Sequence, residues 1–90
     1  MPIDPDQLLR IASNQVRASI LDLLLSRGEM NVSEIIAEFS ISQSSMSQHL
    51  QLMRKAQVVE TRRESPAIYY RIAGDLALLE LIEWRRKHRQ

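Results

Sequence analysis

Between Phe39 and Gln43 only three residues, Ser40-Ile41-Ser42, separate two stretches that each carry their own helix-start signal. Upstream, Asn31 is followed three positions later by Glu34, an Asn variant of the capping box in which each side chain bonds the other residue's backbone N–H. That box predicts a short helix from Val32 to about Phe39, burying Ile35, Ile36 and Phe39. Downstream, Ser42 is placed to cap a second helix running to about Ala56. Two short helices on so brief a connector are expected to form a helix-turn-helix.

The flanking segments extend this reading. Asp4 and Pro5 open a short helix to about Ile11, Asp4 as cap and Pro5 in the first turn. Ser13 or Asn14 caps the next helix, in which Val16, Ile20, Leu23, Leu24 and Arg27 keep the three-and-four spacing of an amphipathic stripe until Gly28 ends it. After the helix-turn-helix, Val58–Arg63 and Ala67–Ile72 are rich in β-branched and aromatic residues. Glu64-Ser65-Pro66 separates them, as in a β-hairpin. Asp75 caps a last helix to about His88. Its Leu76, Leu78, Leu79, Leu81, Ile82 and Trp84 cover more of the circumference than one core contact requires. A second copy of the chain is the simplest use for that excess, since a 90-residue monomer is marginal alone. The order predicts a winged helix-turn-helix: mainly α, about five helices with a two-stranded wing, one domain over residues 1–90, as a homodimer. Two glycines and three prolines are too few for a turn-rich all-β alternative.

Several function classes drop out. The chain has no cysteine, which removes disulfides, thiolate metal sites and thiol redox sensing. No apolar run approaches the length of a membrane span, and the start, MPIDPDQLLR, lacks a basic leader followed by an apolar stretch, so a cytoplasmic protein is expected. The two histidines lie in different segments, there is no glycine-rich phosphate loop, and no His/acid/nucleophile set shows by spacing. No enzyme and no cofactor are expected.

The charge is uneven. Residues 1–42 hold three basic and six acidic side chains, whereas residues 43–72 hold five basic and two acidic. The positive third begins where the sequence SQSSMSQHLQL (42–52) begins, and that stretch sets serine, a mediocre helix former, on a helical beat. On a helical wheel Met46, Leu50 and Met53 form the core stripe, while Gln43, Ser44, Ser47, Gln48, Gln51 and Lys55 occupy the opposite arc. Between Ile41 and Val59 there is no acidic residue. Base edges in a major groove mix donors and acceptors. Gln bonds adenine in bidentate fashion, and Ser serves either role while letting the backbone come close. A solvated face would more usually mix Glu with Lys. The arc therefore reads as a recognition helix for double-stranded DNA.

Other residues keep two readings each. His49, at the edge of the core stripe, fits a hydrogen-bonded structural histidine or a DNA contact. Arg62, Arg63 and Arg71 on the hairpin fit phosphate contacts or local pairing, and the hairpin tip itself carries an acid, Glu64. Tyr69 and Tyr70 must point to opposite sheet faces, one into the core and one free to reach a phosphate. Trp84 fits a packing anchor at the dimer interface better than a ligand-stacking surface. The run from Arg85 to Arg89 fits a helix end complementing its dipole, or a contact to flanking DNA.

The run ISQSSMSQHLQLMRKAQVVETRRESPAIYYRI resembles the recognition helix and wing of the ArsR/SmtB family of bacterial dimeric repressors. Ser42, Ser44, Ser47, His49 and Leu50 fill the family's helix pattern, and Tyr69-Tyr70 fill the end of its wing. Upstream, LLRIASNQVRASILDLLL resembles its opening helices. The resemblance implies a symmetric dimer joined by the first and last helices (here about 4–11 and 75–88), with Leu8, Leu9, Leu78, Leu79, Ile82 and Trp84 at the interface and a palindromic operator as ligand. The family's metal sensors often carry Glu-Leu-Cys-Val-Cys-Asp at the start of the third helix. Here the stretch is Glu29-Met30-Asn31-Val32-Ser33-Glu34, without the thiolates. A second family site, Asp-x-His-x10-His-x-x-Glu on the last helix, is matched only by Asp75 and His88. The resemblance thus implies a repressor without a metal site. Two other classes stay open: a winged-helix protein–protein module or anti-repressor without DNA binding, and a metal-responsive repressor using a non-cysteine site.

Overall fold

The computed structural model describes residues 3–88. Helices α1 (Pro5–Ser13) and α2 (Gln15–Arg27) are followed by a two-residue strand β1 (Met30–Asn31), then α3 (Val32–Ile36), α4 (Gln43–Lys55), the hairpin β2 (Val59–Glu64) and β3 (Ala67–Ile72), and α5 (Leu76–Lys87). The predicted helices are all present, each opened by a polar cap. Asp4, Asn14, Ser42 and Asp75 accept a hydrogen bond from a backbone N–H in the first turn of their helices. The capping box of α3 is complete: Glu34 N donates to Asn31 at 2.8 Å and Asn31 N to Glu34 at 2.9 Å.

Two features differ from the sequence reading. The third helix stops at Ile36 rather than near Phe39. Its continuation tightens, with Glu38 N donating to Ile35 O and Phe39 N to Ile36 O, three residues back instead of four. The sheet has three strands in the order β1-β3-β2, because Met30 and Asn31 pair antiparallel with Tyr70 and Tyr69. The turn after α4 is a Schellman motif built without glycine. Gln57 N donates to Arg54 O, Val58 N donates to Met53 O, and Gln57 sits at φ 63. This turn delivers the chain from the recognition helix into the wing.

One core unites the elements. Ile20, Leu21 and Leu24 of α2, Ile35 of α3, Met46, Leu50 and Met53 of α4, Val58, and Leu78 and Ile82 of α5 are each at most 2% exposed. The Met46-Leu50-Met53 stripe is the face assigned to the core from sequence. It seats α4 against α2 and the sheet, and so turns the opposite arc outward.

Candidate nucleic-acid interface

Gln43, Ser44, Ser47, Gln48, Gln51 and Lys55 are all exposed, and they share one face of α4 with no acidic neighbour on the helix. The Ser42 hydroxyl accepts from Ser45 N at 3.1 Å and lies 3.2 Å from the Ser44 hydroxyl. That cap leaves the other first-turn N–H groups and the positive end of the helix dipole facing outward. Short side chains at Ser44 and Ser47 let the backbone approach a surface closely, while Gln43, Gln48 and Gln51 carry paired donors and acceptors. Arg54 and Lys55 add positive charge at the far end, and neither makes an ion pair among the described residues. This face can contact both base edges and phosphates.

His49 lies apart from that arc. It is half-buried, and its Nδ1 is enclosed with no hydrogen-bond partner among the described residues. Burial, reinforced by the Arg17 guanidinium, holds its imidazole below the ordinary value of 6.5. The folded state therefore favours the neutral ring, and as pH falls through 6.5 the unfolded chain takes up the proton first. Stability should drop over that window and recover as pH rises. A His49→Gln variant should lose this part of the pH dependence of the thermal midpoint; an unchanged profile would contradict the assignment.

The wing is organised by ion pairs. Arg62 forks onto Glu29, with Nε at 3.1 and 3.2 Å from the two carboxylate oxygens and Nη2 at 2.7 Å, while Nη1 donates to Glu64. Its guanidinium carbon stands 4.6 Å from the centre of the Tyr69 ring, the residue opposite it in the ladder. The hydrogen bond from Arg62 holds the Glu29 carboxyl below its usual value, and the two carboxylates hold Arg62 above its own. Arg71 bonds Glu60 at 2.9 and 3.1 Å. Arg63 is exposed and makes no ion pair among the described residues. Of the two tyrosines, Tyr70 is the core residue, and Tyr69 supports Arg62.

The six residues expected at a subunit interface divide in two. Leu8, Leu78 and Ile82 are 7%, 0% and 1% exposed and fill the chain's own core, so their side chains are not on offer to a second subunit. Leu9 and Trp84 are exposed and Leu79 is half-buried; Leu76, 70% exposed, joins them. Trp84 stacks on His88 with ring centroids 4.3 Å apart. The inner side of α5 is pinned to α2 instead, by Arg85 to Asp22 and by Arg86 to the Ser26 hydroxyl. Asp75 and His88, the two matches to the last-helix metal pattern, have other roles: Asp75 caps α5 and His88 Nδ1 lies 2.8 Å from Trp84 O. Arg89 lies outside the described residues.

Residues 14–61, from the cap of α2 to the second strand, match the family model described as bacterial regulatory protein, arsR family. The chain belongs to the arsR family. It is 40% identical over 70 residues to the biofilm growth-associated repressor of Agrobacterium fabrum, a match covering 78% of this chain and 59% of that protein. The chain thus spans less than two thirds of that relative. It is 33% identical over 79 residues to the transcriptional repressor SdpR of Bacillus subtilis, covering 88% of this chain and 86% of that one. The structure of HlyU from Vibrio cholerae superposes with a TM-score of 0.83 at 33% identity, over 93% of this chain and 90% of that one. HlyU is named a transcriptional activator. An arsR-family chain with this fold is a winged-helix, DNA-binding regulator of transcription and not an enzyme. None of its described helices is long and apolar enough to cross a membrane.

Proposed function

We propose that this arsR-family chain is a cytoplasmic, metal-independent repressor that works as a symmetric dimer, setting α4 of each protomer into the major groove of one half of a palindromic operator. The observation that carries the reading is the exposed, acid-free arc from Gln43 to Lys55, held rigidly outward by the buried Met46-Leu50-Met53 stripe. Gln43, Ser44, Ser47, Gln48 and Gln51 face the bases, with Lys55 and Arg63 on phosphates. His49, half-enclosed, serves the packing of the helix. Two-fold pairing is supported by apolar side chains left uncovered on the first helix, at Leu9, and on the last, at Leu76 and Trp84, with Leu79 half-buried beside Trp84. Metal independence is supported by a sequence without cysteine, which leaves no thiolate ligand.

One observation favours a protein-docking module instead: on the wing and its support, Arg62, Arg63 and Arg71 are matched by Glu29, Glu60 and Glu64, so this region carries no net charge. Fluorescence anisotropy separates the readings. The fragment upstream of the protein's own gene is compared with a scrambled fragment, with zinc and with chelator. The expected result is tight, sequence-dependent binding that metal does not alter. Equal, weak binding to both fragments would favour the protein-docking module, and a more than tenfold response to zinc would favour a metal sensor.

A further inference from the structure

Arg62 is the most heavily engaged cation in the wing. Three of its nitrogens donate to two carboxylates, and one face of its guanidinium covers Tyr69. Glu29 comes from the turn before β1, 33 residues earlier in the chain, so the fork also ties the wing to the entrance of the helix-turn-helix. A planar fork on a carboxylate is the geometry Arg would otherwise offer to a phosphate. A phosphate reaching Arg62 must therefore displace Glu29 or Glu64, both tethered in place and at high effective concentration. It must also approach a group of two carboxylates and one guanidinium that is negative overall. Arg71 is matched in the same way by Glu60. Arg63, its neighbour on the opposite sheet face, has no such partner among the described residues.

We propose that Glu29 and Glu64 act as built-in counter-ions for Arg62, and Glu60 for Arg71, so that the wing presents Arg63 as its single phosphate contact. Non-specific affinity for DNA is nearly all phosphate electrostatics, and discrimination is the ratio of specific to non-specific binding. Internal pairing lowers the non-specific part and leaves selection to the α4 face. Glu29 is then a specificity-determining residue although it touches no base. This rests on the DNA-binding reading above.

The test measures affinity for a short mixed-sequence duplex across a salt series, for the wild type, Glu29→Gln/Glu64→Gln, and the same double variant with Arg62→Ala. Thermal melts confirm that each is folded. Freeing Arg62 should tighten binding several-fold and steepen the slope of log affinity against log salt by about 0.9 per protomer. Adding Arg62→Ala should return the slope to the wild-type value. Arg63→Ala, made in the wild-type chain, should lower the slope by about 0.9 per protomer. A double variant with the wild-type slope, or a gain that survives Arg62→Ala, would overturn the counter-ion role while leaving the DNA-binding reading intact. Absence of any salt-dependent DNA binding by the wild type would overturn both.

Discussion

Gln48→Ala should weaken operator binding by about 1–3 kcal/mol and relax base preference at one position in each half-site, because a bidentate amide–base contact is lost. Gln48 is exposed in the middle of the α4 arc, one residue from Ser47 and three from Gln51, and it contributes nothing to the core. The fold should be unaffected. A sharper version is Gln48→Glu. That carboxylate would face acceptor-rich base edges and phosphates, and like-charge contact in an interface costs several kcal/mol. Operator binding should be abolished at concentrations where the wild type is saturated, with the thermal midpoint little changed. Competition with operators altered at each position in turn checks the alanine variant. An unaltered base preference would mean that this face of α4 is docked wrongly.

Trp84→Glu should give a monomer on sizing columns and a fall in operator affinity of roughly 10²–10⁴-fold, the loss expected when two linked half-site contacts become independent. Trp84 is 59% exposed and adjoins Leu79 along a shallow apolar hollow also lined by Glu80, Glu83 and Lys87. A new carboxylate there would lie within an already acidic rim and, in a dimer, inside a desolvated interface. Core damage is not the cause, because α5 is anchored on its other side by Leu78 and Ile82. Each monomer should retain the salt-dependent binding of a single α4. A variant that stays dimeric would place the interface on another surface.

How legible these features were in the sequence follows from how local each one is. The helices could be read because Asp4, Asn14, Asn31, Ser42 and Asp75 are cap residues at the right offset from an apolar stripe. The α4 arc could be read because its two faces differ so sharply in chemistry. β1 could not: two residues form a strand only because Tyr69 and Tyr70 lie alongside, and that pairing spans about forty positions of chain. The Schellman turn was hidden because Gln57 occupies the place where glycine usually marks it. On α5 the apolar excess was evident but its division was not. Leu78 and Ile82 are buried in the core while Leu76 and Trp84 face outward, and only the docking angle of the helix decides that. The pairing of Arg62 with Glu29 is likewise a product of tertiary structure, so Arg62 reads from sequence as a free wing cation.

Entry of two copies of α4 into successive major grooves is read out by methylation protection of guanine N7 atoms, which line the major groove, on the upstream fragment bound by the wild type. The expected result is two symmetric patches of protection whose centres lie about 10–10.5 base pairs, or a multiple of that, apart. Adenine N3 atoms between them, in the minor groove, should stay reactive. A single patch, or protection confined to the minor groove, would contradict it.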